Sequence, residues 1–360
     1  MNIAVRRYPS GFRPPDRRLE HKKLDIQAQR KFPRENKMES YAGKILVLAT
    51  GGSIAQTSPK DPTLLGDALV GAVPQLRDIA NISVEQITQV SSPDISIENW
   101  LELARRINEA LAEDDVQGVV VTHGTDTLEE TAYLLNLVVK SDKPVIVVGA
   151  MRRPYSLGAD GPANLYNAVA IAIDPEAKGK GVLVTLNAEI HSARDVTKTT
   201  FNLDAFKAPD FGPLGYVRNG KPHFYRSPKR RHTIASEFDA NAESLPRVAI
   251  LYSYVGVTPD ILEAVAASGY RGVVWAGTGN GNLPKVIRPA ASEAVKRGLV
   301  FVRSSRANSG IVARNDELDD DALGFVTADS LNPQKARILL MLALTQTCDP
   351  TKIQELFDSH

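Results

Sequence analysis

Thr122-His123-Gly124-Thr125-Asp126-Thr127 follows the apolar run Gly118–Val121 and precedes Leu128-Glu129-Glu130-Thr131-Ala132. The apolar run has the pattern of a buried parallel strand, and the residues from Leu128 onward read as a helix. Thr127 and Glu130 have the capping-box spacing that starts a helix. The strand therefore ends in a tight loop carrying two hydroxyls and a carboxylate. In open α/β sheets ligands bind at the carboxyl ends of strands, which makes Thr125 and Asp126 the first candidates for chemistry.

Other residues could join them. Thr50-Gly51-Gly52-Ser53 closes the first apolar run. Its glycines allow close backbone approach and leave N–H groups for an anion or oxyanion, and Ser53 offers a hydroxyl. A Gly-Gly turn after a strand is also an ordinary turn. Lys198 lies in the polar segment Arg194-Asp195-Val196-Thr197-Lys198. A buried lysine beside a hydroxyl can act as a base, although the plain reading of any lysine is a surface residue. Gly277-Thr278-Gly279-Asn280-Gly281-Asn282 has its third glycine one residue too early for a dinucleotide loop, and no acidic residue follows at the required distance. Its glycines read as shaping a loop that presents Asn280. Glu317 reads as part of a solvated acidic turn, and Ser92-Pro93-Asp94 as an ordinary turn. His123 reads as structural. The histidines show no metal-ligand spacing, and no phosphate loop is present, so no metal or cofactor is expected.

The elements that must position these residues are α/β in pattern. Lys44–Ala49, Gly118–Val121, Pro144–Gly149 and Gly181–Leu186 read as strands. Trp100–Leu111, Thr127–Val139 and Pro162–Ile173 read as helices between them. Gly212–Pro246 breaks the rhythm and reads as a hairpin followed by a linker. Strands are then expected at Val248–Tyr252, Gly272–Ala276 and Val300–Arg303. Helices are expected at Pro259–Ala267, Pro284–Lys296 and Pro333–Thr345, each with Pro near its first turn. The expected architecture is an α/β protein of two domains. A larger N-terminal parallel-type sheet flanked by helices spans 41–226, a linker spans 227–247, and a smaller C-terminal α/β domain spans 248–360.

Bulk properties restrict the partners. The 360 residues are 43% hydrophobic and 24% charged, with a net charge of +1. That balance gives no reason to expect nucleic acid or a membrane surface as partner. A single cysteine, Cys348, permits no internal disulfide and fits a reducing, cytoplasmic setting. Residues 1–40 are basic and Pro-rich, lack the apolar core of a secretory signal, and read as a disordered extension, with Met38 as a second candidate start.

The motifs together resemble the bacterial-type L-asparaginase / glutaminase-asparaginase family. T-G-G-S-I-A at 50–55, T-H-G-T-D-T-L-E-E-T-A-Y at 122–133 and A-D-G-P-A-N-L-Y-N-A-V at 159–169 carry the resemblance. So do R-D-V-T-K at 194–198, G-P-L-G-Y at 212–216, G-N-G-N-L at 279–283, R-S-S-R at 303–306 and L-N-P-Q-K-A-R at 331–337. The resemblance implies Ser53 as nucleophile, Thr125 and Asp126 acting with Lys198, Ser92 on the substrate α-carboxylate and Asp126 on its α-ammonium. Gly52 lies against the substrate in the same reading. Asn280 and Glu317 would reach in from a neighbouring subunit, which implies a homotetramer, a dimer of dimers.

Three departures bear on substrate choice. The family has Thr where this chain has Ser53, and Ser lacks the branched Cβ that restricts χ1. The segment Gln56–Ala72 is short for the family and lacks its lid tyrosine, with Ser58 and Thr63 as candidate substitutes. Pro93 replaces a Gln or Glu that contacts the substrate amino group. The expected function is hydrolysis of the side-chain amide of L-asparagine, with L-glutamine as a second substrate. The attacking oxygen is Ser53 or a water activated by Thr125 and Lys198. Alternatives are an amidohydrolase for a different or D-configured amino-acid amide, and a catalytically weak amino-acid-binding homologue. An amidotransferase partner shares the motifs but carries a folded N-terminal domain.

Overall fold

The computed structural model describes Gly43–Gly52, Ile54 and Leu65–His360. The expected basic extension, Ser53, Ser58 and Thr63 lie outside the described residues. Everything described belongs to one compact unit.

The N-terminal part alternates strand and helix: β1 (Lys44–Gly51), α1 (Gly66–Gly71), β2 (Asn81–Val90), α2 (Ile97–Ala112), β3 (Val116–Thr122), α3 (Leu128–Val138), β4 (Val145–Val148), α4 (Gly161–Ala172) and β5 (Val182–Leu186). The short strands β6 (Glu189–Ser192), β7 (Thr197–Lys198), β8 (Phe206–Lys207), β9 (Gly215–Arg218) and β10 (Lys221–Phe224) come next. Eight of these strands form one sheet in the order β10-β9-β6-β5-β4-β3-β1-β2. The pairs from β2 to β5 are parallel, and those from β5 through β10 are antiparallel.

The unbroken apolar runs are explained by cover on both faces. Leu46, Leu48, Val119, Val121, Val145 and Val147 enter a core with α2 and α3. Their neighbours Ile45, Val47, Val120, Ile146 and Val148 enter a second core with α1 and α4. Successive strand residues point to opposite faces, so a strand covered on both sides must be apolar at every position. Strand β2 escaped the sequence reading because it is an edge strand of half-buried residues with polar ones interspersed.

The C-terminal part holds β11 (Val248–Tyr252), α5 (Asp260–Ala267), β12 (Gly272–Gly277), α6 (Arg288–Lys296), β13 (Val300–Ser305), α7 (Asp320–Leu323), β14 (Phe325–Thr327), α8 (Pro333–Ala343) and α9 (Pro350–Ser359). Its sheet is parallel, in the order β11-β12-β13-β14. One face packs on α5 and α6. The other joins α8 and, through it, α3 of the larger sheet in a continuous core. Fully buried Leu339 and Leu340 lie in that seam, where truncation of a leucine to alanine costs roughly 2–5 kcal/mol. The architecture is the expected α/β one, a large mostly parallel sheet with a smaller parallel sheet beside it.

Several local expectations need correction. Thr127 does precede α3, but no side-chain cap bond forms there. Its hydroxyl donates to the Ser92 carbonyl at 2.7 Å instead. Helix α6 begins at Arg288, with Pro289 in its first turn, while Pro284 lies in the turn before it. Within the segment Gln56–Ala72, Gly66–Gly71 forms helix α1. The hairpin is present: β9 and β10 are joined by Asn219-Gly220, whose φ values of 53° and 74° suit a tight turn between twisted strands.

Candidate active site

The strand order places the site. The parallel strands run β2-β1-β3-β4-β5, so the chain reverses its direction of winding between β1 and β3. A crevice opens at the carboxyl ends of strands at such a switch point. The residues ending β1 and β3 are Gly51-Gly52 and Thr122–Thr127, the two stretches singled out in the sequence. Thr50 Oγ1 ties the strand ends together by donating to the Thr122 carbonyl at 2.9 Å. Gly52, at φ 82°, abuts Gly124 so closely that a Cβ would collide with the Gly124 nitrogen and Cα.

Ser92, at the end of β2, supports the loop from below. It is buried, and its hydroxyl accepts the Asp126 N–H at 3.2 Å while its carbonyl takes the Thr127 hydroxyl. The turn predicted at Ser92-Pro93-Asp94 is a single helical turn. Because Ser92 Oγ is used as an acceptor, its own proton remains available for an anion.

Lys198 completes the constellation. Its Nζ donates to Thr125 Oγ1 at 2.8 Å and to Asp126 Oδ1 at 2.6 Å. The lysine side chain is 13% exposed and that of Asp126 61% exposed, so the pair sits at the mouth of the crevice. Thr125 itself is buried, packed where Gly149 at the end of β4 leaves room beside its methyl group.

His123 is structural, and the geometry says how. Its Nδ1 lies 2.7 Å from the Gly124 carbonyl, which can only accept, so that nitrogen carries the proton. Its Nε2 then accepts from the Thr131 hydroxyl at 2.9 Å, and Thr131 accepts from the Trp100 indole at 2.7 Å. Complete burial pushes the imidazole down to about 4, against a smaller opposing effect of the Gly124 carbonyl. The ring is therefore neutral at pH 7 and fixes the loop backbone.

Asn280 and Glu317 stand apart from this cluster. Asn280 donates to Asp316 at 2.9 Å and accepts the Ala313 N–H at 2.7 Å, and Glu317 is exposed. Among the described residues, no hydrogen bond or ion pair joins either to Thr125, Asp126 or Lys198.

Two residues absent from the sequence-derived candidates hold these loops. Arg303, fully buried on β13, makes a bidentate pair with buried Asp320 at 2.6 and 2.7 Å. It also donates to the carbonyls of Asn280 at 2.8 Å and Ala313 at 3.1 Å, and so fixes both loops at once. Glu129, buried on α3, accepts the Lys198 backbone N–H at 2.9 Å. The signal for Arg303 was the R-S-S-R string, which gave a motif but no role. Glu129 lies beside Glu130 of the capping-box pattern, and nothing in its residue type marks a backbone partner.

A hydroxyl, a carboxylate and an ammonium are thus gathered at the switch point of an α/β sheet, groups that can bind and move protons. The family model described as "Asparaginase, N-terminal" matches 44–230, and that described as "Glutaminase/Asparaginase C-terminal domain" matches 247–357. The chain belongs to the asparaginase family. It is 47% identical over 325 residues to L-asparaginase 2 of Escherichia coli (strain K12), covering 88% of this chain and 93% of that one. It is 47% identical over 335 residues to the glutaminase-asparaginase of Pseudomonas fluorescens biotype A, covering 90% and 92%. The crystal structure of a probable cytoplasmic L-asparaginase from Campylobacter jejuni superposes with a TM-score of 0.84 at 50% identity. That match covers 88% of this chain and 100% of the other.

Proposed function

We propose that the protein hydrolyses the side-chain amide of L-asparagine, and of L-glutamine as a second substrate, releasing ammonia. The observation that carries the reading is the contact of Lys198 Nζ with both Thr125 Oγ1 at 2.8 Å and Asp126 Oδ1 at 2.6 Å. In this reading the Ser53 oxygen attacks the amide carbon. Backbone N–H groups and the Thr125 hydroxyl stabilise the oxyanion. Lys198 donates to the Thr125 oxygen, which leaves the Thr125 proton to pass to the departing nitrogen while Lys198 replaces it. The amine so formed on Lys198 takes up the proton lost by Ser53, which restores the ammonium, and ammonia leaves. Water then attacks the acyl-serine ester, giving the free acid and restoring the serine.

Substrate binding uses the same geometry. The Ser92 proton faces the α-carboxylate, and the exposed Asp126 carboxylate takes the α-ammonium. Gly52 lets the substrate lie against the backbone. Asn280 and Glu317 complete the site from a neighbouring subunit in a homotetramer, which agrees with their having no bond to the Thr125 cluster in their own chain. The exposed apolar side chains of Tyr252, Tyr254 and Val255 support association. The cytoplasm is the proposed location, in keeping with the probable cytoplasmic L-asparaginase of Campylobacter jejuni to which the chain is similar.

Ammonia release from L-Asn, D-Asn and L-Gln by the parent, Ser53→Ala and Lys198→Met tests the reading. Turnover of L-Asn by the parent with loss in both variants is expected. Full activity of Ser53→Ala assigns the attack to water, and full activity of Lys198→Met removes the relay.

A further inference from the structure

Strand β7, which carries Lys198, is only two residues long and among the described residues pairs only with β8, at Thr197↔Lys207 and Lys198↔Phe206. So short a ladder cannot by itself fix a side chain to the accuracy a proton relay needs. Two buried charged side chains take up backbone groups on and just before it. Lys335, 2% exposed near the start of α8, donates its ammonium to the Arg194 carbonyl at 2.7 Å and to the Val196 carbonyl. Glu129, 5% exposed on α3, accepts the Lys198 N–H at 2.9 Å with one oxygen. Its other oxygen accepts from Gln334 at 3.1 Å and Asn332 at 3.5 Å, both at the start of α8. Asn332 also donates to Thr197 Oγ1 at 3.4 Å. An ammonium thus holds two carbonyls of 194–196, and a carboxylate holds the N–H of 198.

We propose that Glu129 and Lys335 are positioning residues for Lys198, a buried acid–base clamp through which L-N-P-Q-K of the C-terminal part sets the geometry of the relay. The proposal rests on the reading of Lys198 as part of that relay. Neither group touches substrate in it. Two buried charges are tolerable only where each is hydrogen-bonded and opposed, and here the backbone of 194–198 supplies the bonds. Burial pushes the Lys335 ammonium down to about 8, and the Glu129 and Asp195 carboxylates resist that push. The side chain therefore remains charged at neutral pH. The N-terminus of α8 is closed by Asn332, whose side chain accepts the Lys335 N–H at 3.0 Å, so the clamp residue is itself held.

The test measures kcat and KM for L-Asn, and L-Asp affinity, in Lys335→Met, Glu129→Leu and Glu129→Gln, with Lys198→Met as control. Displacement of a catalytic group by an ångström can cost on the order of 100-fold in rate. Lys335→Met and Glu129→Leu should lose about 10–100-fold in kcat, with KM and L-Asp affinity within about twofold of the parent. Glu129→Gln keeps an acceptor oxygen for the Lys198 N–H and should recover kcat to within several-fold. Parent-like kcat in folded Lys335→Met and Glu129→Leu overturns the proposal. Equal loss of kcat and L-Asp affinity also overturns it, because that marks general damage. If Lys335→Met fails to fold, the comparison of Glu129→Leu with Glu129→Gln decides alone, and failure of the glutamine to rescue contradicts the clamp. Full activity in Lys198→Met would instead overturn the underlying relay.

Discussion

Gly52 and Gly124 meet backbone to backbone, with Gly52 at φ 82° and no room for a Cβ against the Gly124 nitrogen. Gly124 is as tightly placed on its other side, where a Cβ would lie 2.7 Å from Ser92 Oγ. The loops after β1 and β3 therefore meet with no side chain between them, and Ser92 after β2 packs against the other side of Gly124. Gly52→Ala forces an unfavourable φ, worth about 1–3 kcal/mol, as well as the collision. We predict a lower midpoint of thermal unfolding and loss of most ammonia release. Unchanged activity in the variant would mean that the loops can separate without consequence.

The Lys198–Asp126 pair should divide its effects between rate and binding. Removal of a proton-transfer group lowers rate by about 100- to 10,000-fold, and we expect Lys198→Met to fall in that range in kcat. Asp126→Asn should chiefly raise KM, because it weakens the hold on the α-ammonium. Steady-state kinetics with L-Asn separates the two patterns. A pure KM effect in the lysine variant would contradict the assignment.

Arg303 and Asp320 are both fully buried, and their pairing carries the Asn280 loop and the loop leading to Glu317. Removing one member of a buried pair leaves an uncompensated charge at a cost of about 3–5 kcal/mol. Arg303→Met is therefore expected to destabilise the fold by that order in urea unfolding. It should also weaken L-Asn turnover, through the positions of Asn280 and Glu317. A change below about 1 kcal/mol would show that the pair is dispensable.

His123 predicts an acid-sensitive step. Its folded value of about 4 lies below the unfolded value of 6.5, so between these pH values the unfolded chain binds more protons. Stability from this group is then full above pH 6.5 and is lost as pH falls towards 4. The loss amounts to about 3 kcal/mol at the acid end. Urea unfolding at several pH values should show the slope, and His123→Gln should flatten it. An identical slope in the variant would assign the acid sensitivity elsewhere.

Pro93 is exposed at the first turn after Ser91 and carries no donor. Pro93→Gln should restore a polar contact to the substrate amino group, worth about 1 kcal/mol, and lower KM for L-Asn several-fold. Isothermal titration with L-Asp checks the same change. No gain in affinity would mean that the α-ammonium is already fully satisfied by Asp126 and its surroundings.

The fold was legible where burial on both faces made strands continuously apolar, as in β1, β3 and β4. It was obscured in β2, where an edge position permits polar residues, and at Pro284, where a proline shapes a turn and Pro289 takes the helical position. Thr125 and Asp126 were legible as candidates from their strand-end loop, whereas Lys198 reads on residue type alone as a surface lysine and joined them only through the family resemblance; the fold brings the three into contact. The links from Glu129 to the Lys198 N–H and from Lys335 to the Arg194 and Val196 carbonyls were not legible. Those bonds run from side chains to backbone across 69 or more residues, and a backbone partner leaves no mark on residue type. The same holds for Arg303, whose partners Asn280 and Ala313 contribute only their carbonyls. Thr127 shows the converse: its capping pattern was present, but the Ser92 carbonyl took the hydroxyl.

Turnover of L-Asn by Thr125→Val tests the central claim most directly, since valine keeps the shape of threonine and removes only the oxygen that links Lys198 to the substrate. Ammonia release below about 1% of the parent is expected, the loss typical of a missing proton-transfer group, with L-Asp still bound and the fold intact. Ammonia release at the parent rate in a folded Thr125→Val would contradict it.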